Sequence, residues 1–479
     1  MFKKFKRQIY AVVWALLIWT CLQFEPVNRS FIGLSDYQGL FTAMKIRENG
    51  TGGVGAPTTF IDFGEADWKM ASGFGASKQN PLGPETGLVP RRALAEVIDF
   101  ASTSRAVAVV IDVDSSVQAG AVADKAFAAA VDRWRKLPSP PLLILVRSDF
   151  STPGLLERAK LPPLGSVDPI VEGSAGFFAD QNNITRYINQ FDCARTNDHS
   201  SFQKGYVTVA NVAVYAAAAA RADSALEARN AVAEQLIGLN CGFNRPIGRL
   251  DLRLTQGDIL LDKQVSPINF HFSLKGTGSR AEAIFRPKSR GVCDKVGAPV
   301  LTTYPVSLLL APNAESASRE GLCGAIVIVG SSAPVTRDIL LTTLGEMPGA
   351  LVVANAARGV DLAGQIRRVG YVPGIFYITV LALLVCTILE GVSRLATLAA
   401  GMQSVTSIQR FAKWAAQALT HPITATALMT QAFSLVGLIV TYFMLDYGYW
   451  AVFAAPAFAA AMTNMYDQIS EMRKSISHV

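Results

Sequence analysis

Four aspartates stand where apolar runs end. Asp62 closes the run 57–63, Asp112 and Asp114 close the run 106–113, and Asp338 follows the run 325–329. Together with Arg91 and Arg337 they could line a polar pocket or a cation site, because ligands gather at the carboxyl ends of parallel strands in α/β folds. The same aspartates could instead cap helices and fix loops, since Asp is a preferred N-cap residue. Four aspartates without a regular interval do not make a calcium-loop pattern. Gly330-Ser331-Ser332 follows a strand and could cradle an anion, but neither G-x-x-x-x-G-K nor G-x-G-x-x-G is present. No G-x-S-x-G occurs, and the chain has 4 histidines, of which His199 and His271 lie in the segment 25–370. No catalytic constellation, cofactor or metal site is expected, so the chain reads as a non-enzyme.

The elements that would position these acids alternate in type. Residues 57–63, 106–113 and 141–146 are apolar runs suited to buried strands. Between them, 91–102 places Leu94, Val97, Ile98 and Ala101 at helical spacing, and 121–134 is an Ala-rich amphipathic helix. Strand–helix alternation implies parallel strands covered by helices. Downstream, 206–236 reads as one long helix, and 268–272 as a strand. Residues 325–329 read as a buried strand, 347–349 as a turn, 350–356 as the start of an apolar element, and 360–369 as a helix. A break is expected at 372–374.

These residues also form a pattern. Val329-Gly330, Asp338, Leu344-Gly345, Met347-Pro348-Gly349 and Asn355-Ala356 follow one another at spacings that resemble the closing segment of CHASE2 domains, the extracytoplasmic sensor modules of bacterial signalling proteins. Asp62 at a strand end, Pro90-Arg91 at a helix start and the strand ending at Asp112 resemble the opening of that family, and 175–186 resembles its central hairpin. Leu88-Val89-Pro90 stands where the family usually has Trp-Pro-Trp, and 75–87 resembles an insertion. The resemblance covers residues 58–360. It implies an extracytoplasmic α/β domain with a largely parallel or mixed sheet, a sensory role, and flanking membrane spans, one before and three after.

The chain has 479 residues, half of them hydrophobic and only 17% charged, against about a quarter charged in soluble proteins. The apolar excess lies at the ends. Residues 1–8 form a basic start, and 9–24, 371–389, 425–445 and 451–465 read as four transmembrane helices. A connector fills 25–57, a loop 390–424, and a tail 466–479. Lys3, Lys4, Lys6, Arg7, Arg394, Arg410, Lys413, Arg473 and Lys474 fall on one side of such a four-span arrangement, which by the positive-inside rule is the cytoplasm. Residues 25–370 are then outside. This bias accounts for the net charge of +7 without a nucleic-acid partner. Residues 401–419 are amphipathic and suit either the membrane surface or a docking helix.

Cys193, Cys241, Cys293 and Cys323 all fall in the outside segment, where two disulfides are expected with three connectivities open. Near-neighbour closure, Cys193 with Cys241 and Cys293 with Cys323, involves the smallest loop entropy. The expected function is a sensor or transducer subunit of a bacterial inner membrane. Because 466–479 is too short for an output domain, it would work through a membrane-protein partner or a second copy of itself. Membrane lipids and an unidentified small-molecule ligand complete its expected contacts. The alternative is a structural or scaffolding subunit of a cell-envelope complex.

Overall fold

The structure is a computed structural model that describes residues 53–65, 91–117, 121–180, 183–195, 206–242, 249–262, 265–272, 298–310, 321–336 and 338–364, with shorter pieces elsewhere. The chain divides into two compact units, Met44–Ile366 and the combination of Met1–Ala43 with Arg367–Val479. The first carries the α/β fold. Its elements in chain order are β1 Thr58–Asp62, α1 Arg91–Ser102, β2 Ala108–Ile111, α2 Ala121–Arg135, β3 Leu142–Val146, β4 Ile170–Gly173, β5 Phe177–Ala179, β6 Thr185–Asn189, β7 Phe191–Arg195 and β8 Tyr206–Ala210. Then follow α3 Val212–Arg221, α4 Ala225–Ile237, β9 Val265–Pro267, β10 Leu301–Pro305, β11 Ile326–Gly330, β12 Ile339–Thr342, β13 Gly345–Pro348 and α5 Gly349–Ala363.

Six strands form the central sheet in the order β10-β1-β11-β2-β3-β4, and every pairing is parallel. β2, β3 and β11 are buried along their whole length, as continuous apolar strands in a covered parallel sheet must be. On one face, Ile61, Val109, Ile111, Leu143, Leu145, Val327 and Val329 pack against Leu94, Val97 and Ile98 of α1 and Phe127, Val131 and Trp134 of α2. Trp134 Nε1 donates to the Pro141 carbonyl at 3.1 Å, giving its buried N–H a partner. On the other face lie α3 and α5, buried from Val212 to Ala220 and from Gly349 to Asp361. Their Ala-rich sequences allow close packing on all sides, and helices apolar all round belong inside.

A second, mixed sheet joins β9, β6, β12 and β13, with β5 antiparallel to β6. The hairpin expected over 175–186 is therefore β5–β6.

Four expectations are corrected. Residues 206–236 are not one helix. Tyr-Val-Thr-Val is one aromatic followed by three β-branched residues, a composition that favours strands, and it pairs antiparallel with β7 as β8. Asn211 then caps α3 by accepting from the Ala213 N–H at 3.0 Å, and Ser224 caps α4 by accepting from the Glu227 N–H at 3.0 Å. Residues 268–272 join no strand ladder. A side chain replaces the neighbouring strand, because Asn355 Oδ1 accepts from the His271 N–H at 2.6 Å and the Phe272 N–H at 3.1 Å, and Asn355 Nδ2 donates to the Phe272 carbonyl at 3.0 Å. Residues 360–369 are not one helix either, since α5 stops at Gly364, whose φ of 65° suits a glycine at a helix end. The turn expected at 347–349 moves upstream to the β12–β13 hairpin, and Met347 and Pro348 lead directly into α5.

Among the described residues no helix is long and apolar enough to cross a membrane. The segments 9–24, 371–389, 390–424 and 451–465 lie largely outside the described residues, as do 75–87 and Arg337. Within 425–445, residues 435–444 are helical. Cys193 and Cys323 are disulfide-bonded, while the side chains of Cys241 and Cys293 lie outside those described.

Asn355→Ala should leave two buried N–H groups and a carbonyl without partners. We expect a loss of about 3 kcal/mol, since each stranded buried group contributes about 1–3 kcal/mol. Urea unfolding of the purified protein measures it, and a loss below about 1 kcal/mol would show that 268–272 is held by other contacts.

Candidate functional site

The register of the central sheet sets Asp62 opposite Gly330. On the other side of β11, the Asp112 N–H donates to the Val329 carbonyl at 2.8 Å. Asp62, Gly330 and Asp112 thus form one row across three adjacent strands, with the two acids about 10 Å apart at two strand spacings. β1 and β2 each continue to helices on one face, whereas β11 continues to α5 on the other. Adjacent strands that depart to opposite faces open a crevice at their carboxyl ends, the usual ligand position in such sheets.

The first turn of α5 covers Gly330. A Cβ on Gly330 would collide with the Ala350 Cβ, and a Cβ on Gly349 would collide with the Asp338 carboxylate. The Gly349 N–H donates to the Asp338 carbonyl at 2.8 Å. Both glycines are therefore required by close approach. They bring Asp338 onto the start of α5, beside Asp112. Burial and the neighbouring Asp338 charge push the Asp112 carboxyl up to about 8. Burial raises Asp338 to about 6, against the pull of the Gly349 N–H. Both acids are thus held above the ordinary carboxylate range.

Asp62 has a different environment. It accepts from the Ser332 N–H at 2.7 Å and the Ser332 hydroxyl at 2.6 Å. Burial raises its carboxyl, Ser332 counteracts this, and Asp67 adds to the rise. Asp67 in turn accepts from Gly64 and Ser307.

The spacing Val329-Gly330, Asp338, Met347-Pro348-Gly349, Asn355 is thus a single packing unit, and a CHASE2 domain matches residues 12–389. The chain belongs to the CHASE2 family. No curated protein and no solved structure matches it. CHASE2 domains are extracytoplasmic sensory domains, and the mixed α/β architecture described above is this member's version of the fold.

In this CHASE2 domain the remaining predicted site residues have structural partners. Arg91 is buried and donates to the Asp114 carbonyl at 2.6 Å and the Val117 carbonyl at 3.2 Å. It stands 3.9 Å from Asp124 and 5.4 Å from the Phe127 ring centre. Burial lowers its guanidinium to about 10. Asp114 accepts from Ser116 and Ser148. Burial would raise its carboxyl, but these bonds outweigh burial and hold it below the ordinary value. Asp114 and Arg91 therefore fix the loop after β2, and the structure does not bring them together with Asp112 and Asp338.

Two arginines unmarked by the sequence complete this edge. Arg147 donates to Glu172 at 2.6 Å and to the Thr152 carbonyl at 2.6 Å. Arg158 donates to the carbonyls of Ser115, Ser116, Val117 and Pro153. Among the described residues no group of three or more His, Cys, Asp or Glu could hold a metal ion.

Arg91→Met should destabilise the domain by about 3 kcal/mol, because removing one partner from a buried charged network strands the others. Chemical denaturation measures this. Unchanged stability would return Arg91 to the list of free ligand-binding cations.

Proposed function

We propose that this CHASE2 protein is a non-enzymatic sensor or transducer subunit of a bacterial inner membrane, acting through a membrane-protein partner or a second copy of itself. The position of Asp112 and Asp338 at the carboxyl ends of the central strands, inside a sensory-domain fold, supports this reading. Its unidentified small-molecule ligand would meet Asp112, Asp338 and the first turn of α5. The second reading is a scaffolding subunit of an envelope complex. It is favoured by Arg91, Arg147 and Arg158, each of which donates to backbone carbonyls or acids of the same domain.

A thermal-shift screen of small polar metabolites on the purified full-length protein distinguishes the two. A sensor gains stability as RT ln(1 + [L]/Kd), about 2.7 kcal/mol at a hundredfold excess over Kd. A stoichiometric membrane partner on co-purification, with no stabilising metabolite, would favour the scaffold.

The proposed topology has four spans at 9–24, 371–389, 425–445 and 451–465, with both termini cytoplasmic and residues 25–370 outside. The support is the one-sided distribution of basic residues. Reporter fusions should be active on the outside at Gly448 and on the inside at Gln403. The opposite result at either position rules out four spans.

A further inference from the structure

The chain leaves the α/β unit at the end of α5, and that end is held in place. Arg358 Nη1 donates to the Ala56 carbonyl at 2.7 Å, the Ala56 N–H donates to Asp361 Oδ2 at 3.1 Å, and Arg221 Nε donates to the Asp361 carbonyl at 3.0 Å. The Gly364 N–H closes the helix on the Val360 carbonyl at 2.8 Å. Three positions later, Arg367–Arg368 is a two-residue strand. It pairs in parallel with Tyr449–Trp450, with Arg367 opposite Tyr449 and Arg368 opposite Trp450. Both strands belong to the unit that combines Met1–Ala43 with Arg367–Val479. They occupy telling places in the sequence: Arg367–Arg368 precedes the apolar run 371–389, and Tyr449–Trp450 lies between the runs 425–445 and 451–465.

The pairing shortens the path from the domain to that interval. Along the chain alone, Tyr449 lies 85 positions beyond Gly364. Through the ladder, the path runs only from Gly364 to Arg367, three Cα steps that span at most about 11 Å. Two residues of ladder cannot close the intervening loop by themselves, because each hydrogen bond has a small net value and loop closure has an entropic cost. Helix packing supplies the rest. In the helix that leads towards Tyr449, Gly437, Thr441 and Leu445 recur every four residues and are buried. Leu435, Ile439 and Phe443 recur every four residues on another face and are exposed. Phe376, Val380 and Leu383 of the run 371–389 form a similar exposed apolar stripe. Stripes of this kind, on helices whose other faces are packed, suit contact with lipid chains. Main-chain hydrogen bonds cannot reach across a hydrocarbon layer about 30 Å thick, so 367–368 and 449–450 stand on one face of it. The chain between them then crosses an even number of times, as 371–389 and 425–445 together provide.

We propose that the interval 446–450 is the docking site of the strand that leaves the α/β domain. The domain is thereby attached to the membrane part at two points, through its own chain into 371–389 and through the ladder at 449–450. A displacement of the end of α5 reaches 451–465 directly, without passing through the loop 390–424. The placement of this docking site on the outer face rests on the four-span reading.

Paired cysteines in the full-length protein, in native membranes, test this. Register partners on adjacent strands stand about 4.8 Å apart, a separation that a disulfide bridges. Arg367→Cys with Tyr449→Cys, and Arg368→Cys with Trp450→Cys, should each cross-link under a mild oxidant. Peptide mapping identifies the bond, since the chain has 6 cysteines of its own. Arg367→Cys with Gln403→Cys should not cross-link. In the unsubstituted protein, hydrogen exchange should show protection at both 367–368 and 449–450. If the double variants do not fold, this measurement decides, and exchange there at the rate of an open chain overturns the docking site. Folded pairs that do not cross-link overturn it as well, even when a reporter at Gly448 is active outside and the four spans stand. Cross-linking together with a reporter active inside keeps the docking site and overturns the proposed orientation.

Discussion

The contact on which the α/β unit depends is the seating of Ala350 on Gly330. A parallel strand ends in a residue without a side chain, and the first turn of a buried helix fills the vacated space. Any Cβ at Gly330 would push α5 off the sheet. That close approach explains the nearby elements. The β12–β13 hairpin must be short enough to return the chain to the strand end. Gly349 must also be bare, because Asp338 lies against it. Asn355, less than two turns further along α5, then meets the segment 268–272 and supplies the hydrogen bonds that a strand would otherwise have supplied.

The two ends of α5 solve opposite electrostatic problems. At its far end Arg358, Asp361 and Arg221 are held together, with Ala56 satisfying both an acid and a guanidinium. Buried charges are tolerated when paired and hydrogen-bonded. At its near end the Asp338 carboxylate lies against Gly349, and burial raises both it and Asp112 above the ordinary carboxylate range. One helix therefore joins a charged anchor to a seat built on two raised acids.

The carboxyl edge of the central sheet is divided in the same way. On the β2–β4 side, Arg91, Arg147 and Arg158 reach across loops to carbonyls and acids and hold the edge closed. Around β11 the edge is glycine, serine and the two raised acids. Recognition at this edge would therefore rest on hydrogen bonds with these acids, and less on fixed cations. An anion would have to compete with that acid pair for the α5 N-terminus.

The sequence alone determined the local architecture. Continuous apolar runs at 106–113, 141–146 and 325–329 could only be doubly covered strands, and Leu94, Val97, Ile98 and Ala101 could only be one helix face, because each pattern depends on residues close in the chain. The motif from Val329 to Ala356 was sufficient to indicate the family. Tertiary structure decided what the motif does. Asp112 and Asp338 are 226 positions apart, and no local pattern marks them as neighbours; only strand order and the missing side chain at Gly330 bring them together. Conversely, Asp62, Asp114 and Arg91 looked equivalent to that pair in sequence and are set apart by Ser332, Ser148 and loop carbonyls. Residues 206–236 looked like one helix because alanine dominates the window, but the antiparallel partner β7 turned Tyr-Val-Thr-Val into a strand. Residues 268–272 had the alternation of a strand and found a side-chain amide where a neighbouring strand was expected. Propensity acts over a few residues, whereas proton affinity and strand pairing are set by what the fold brings alongside.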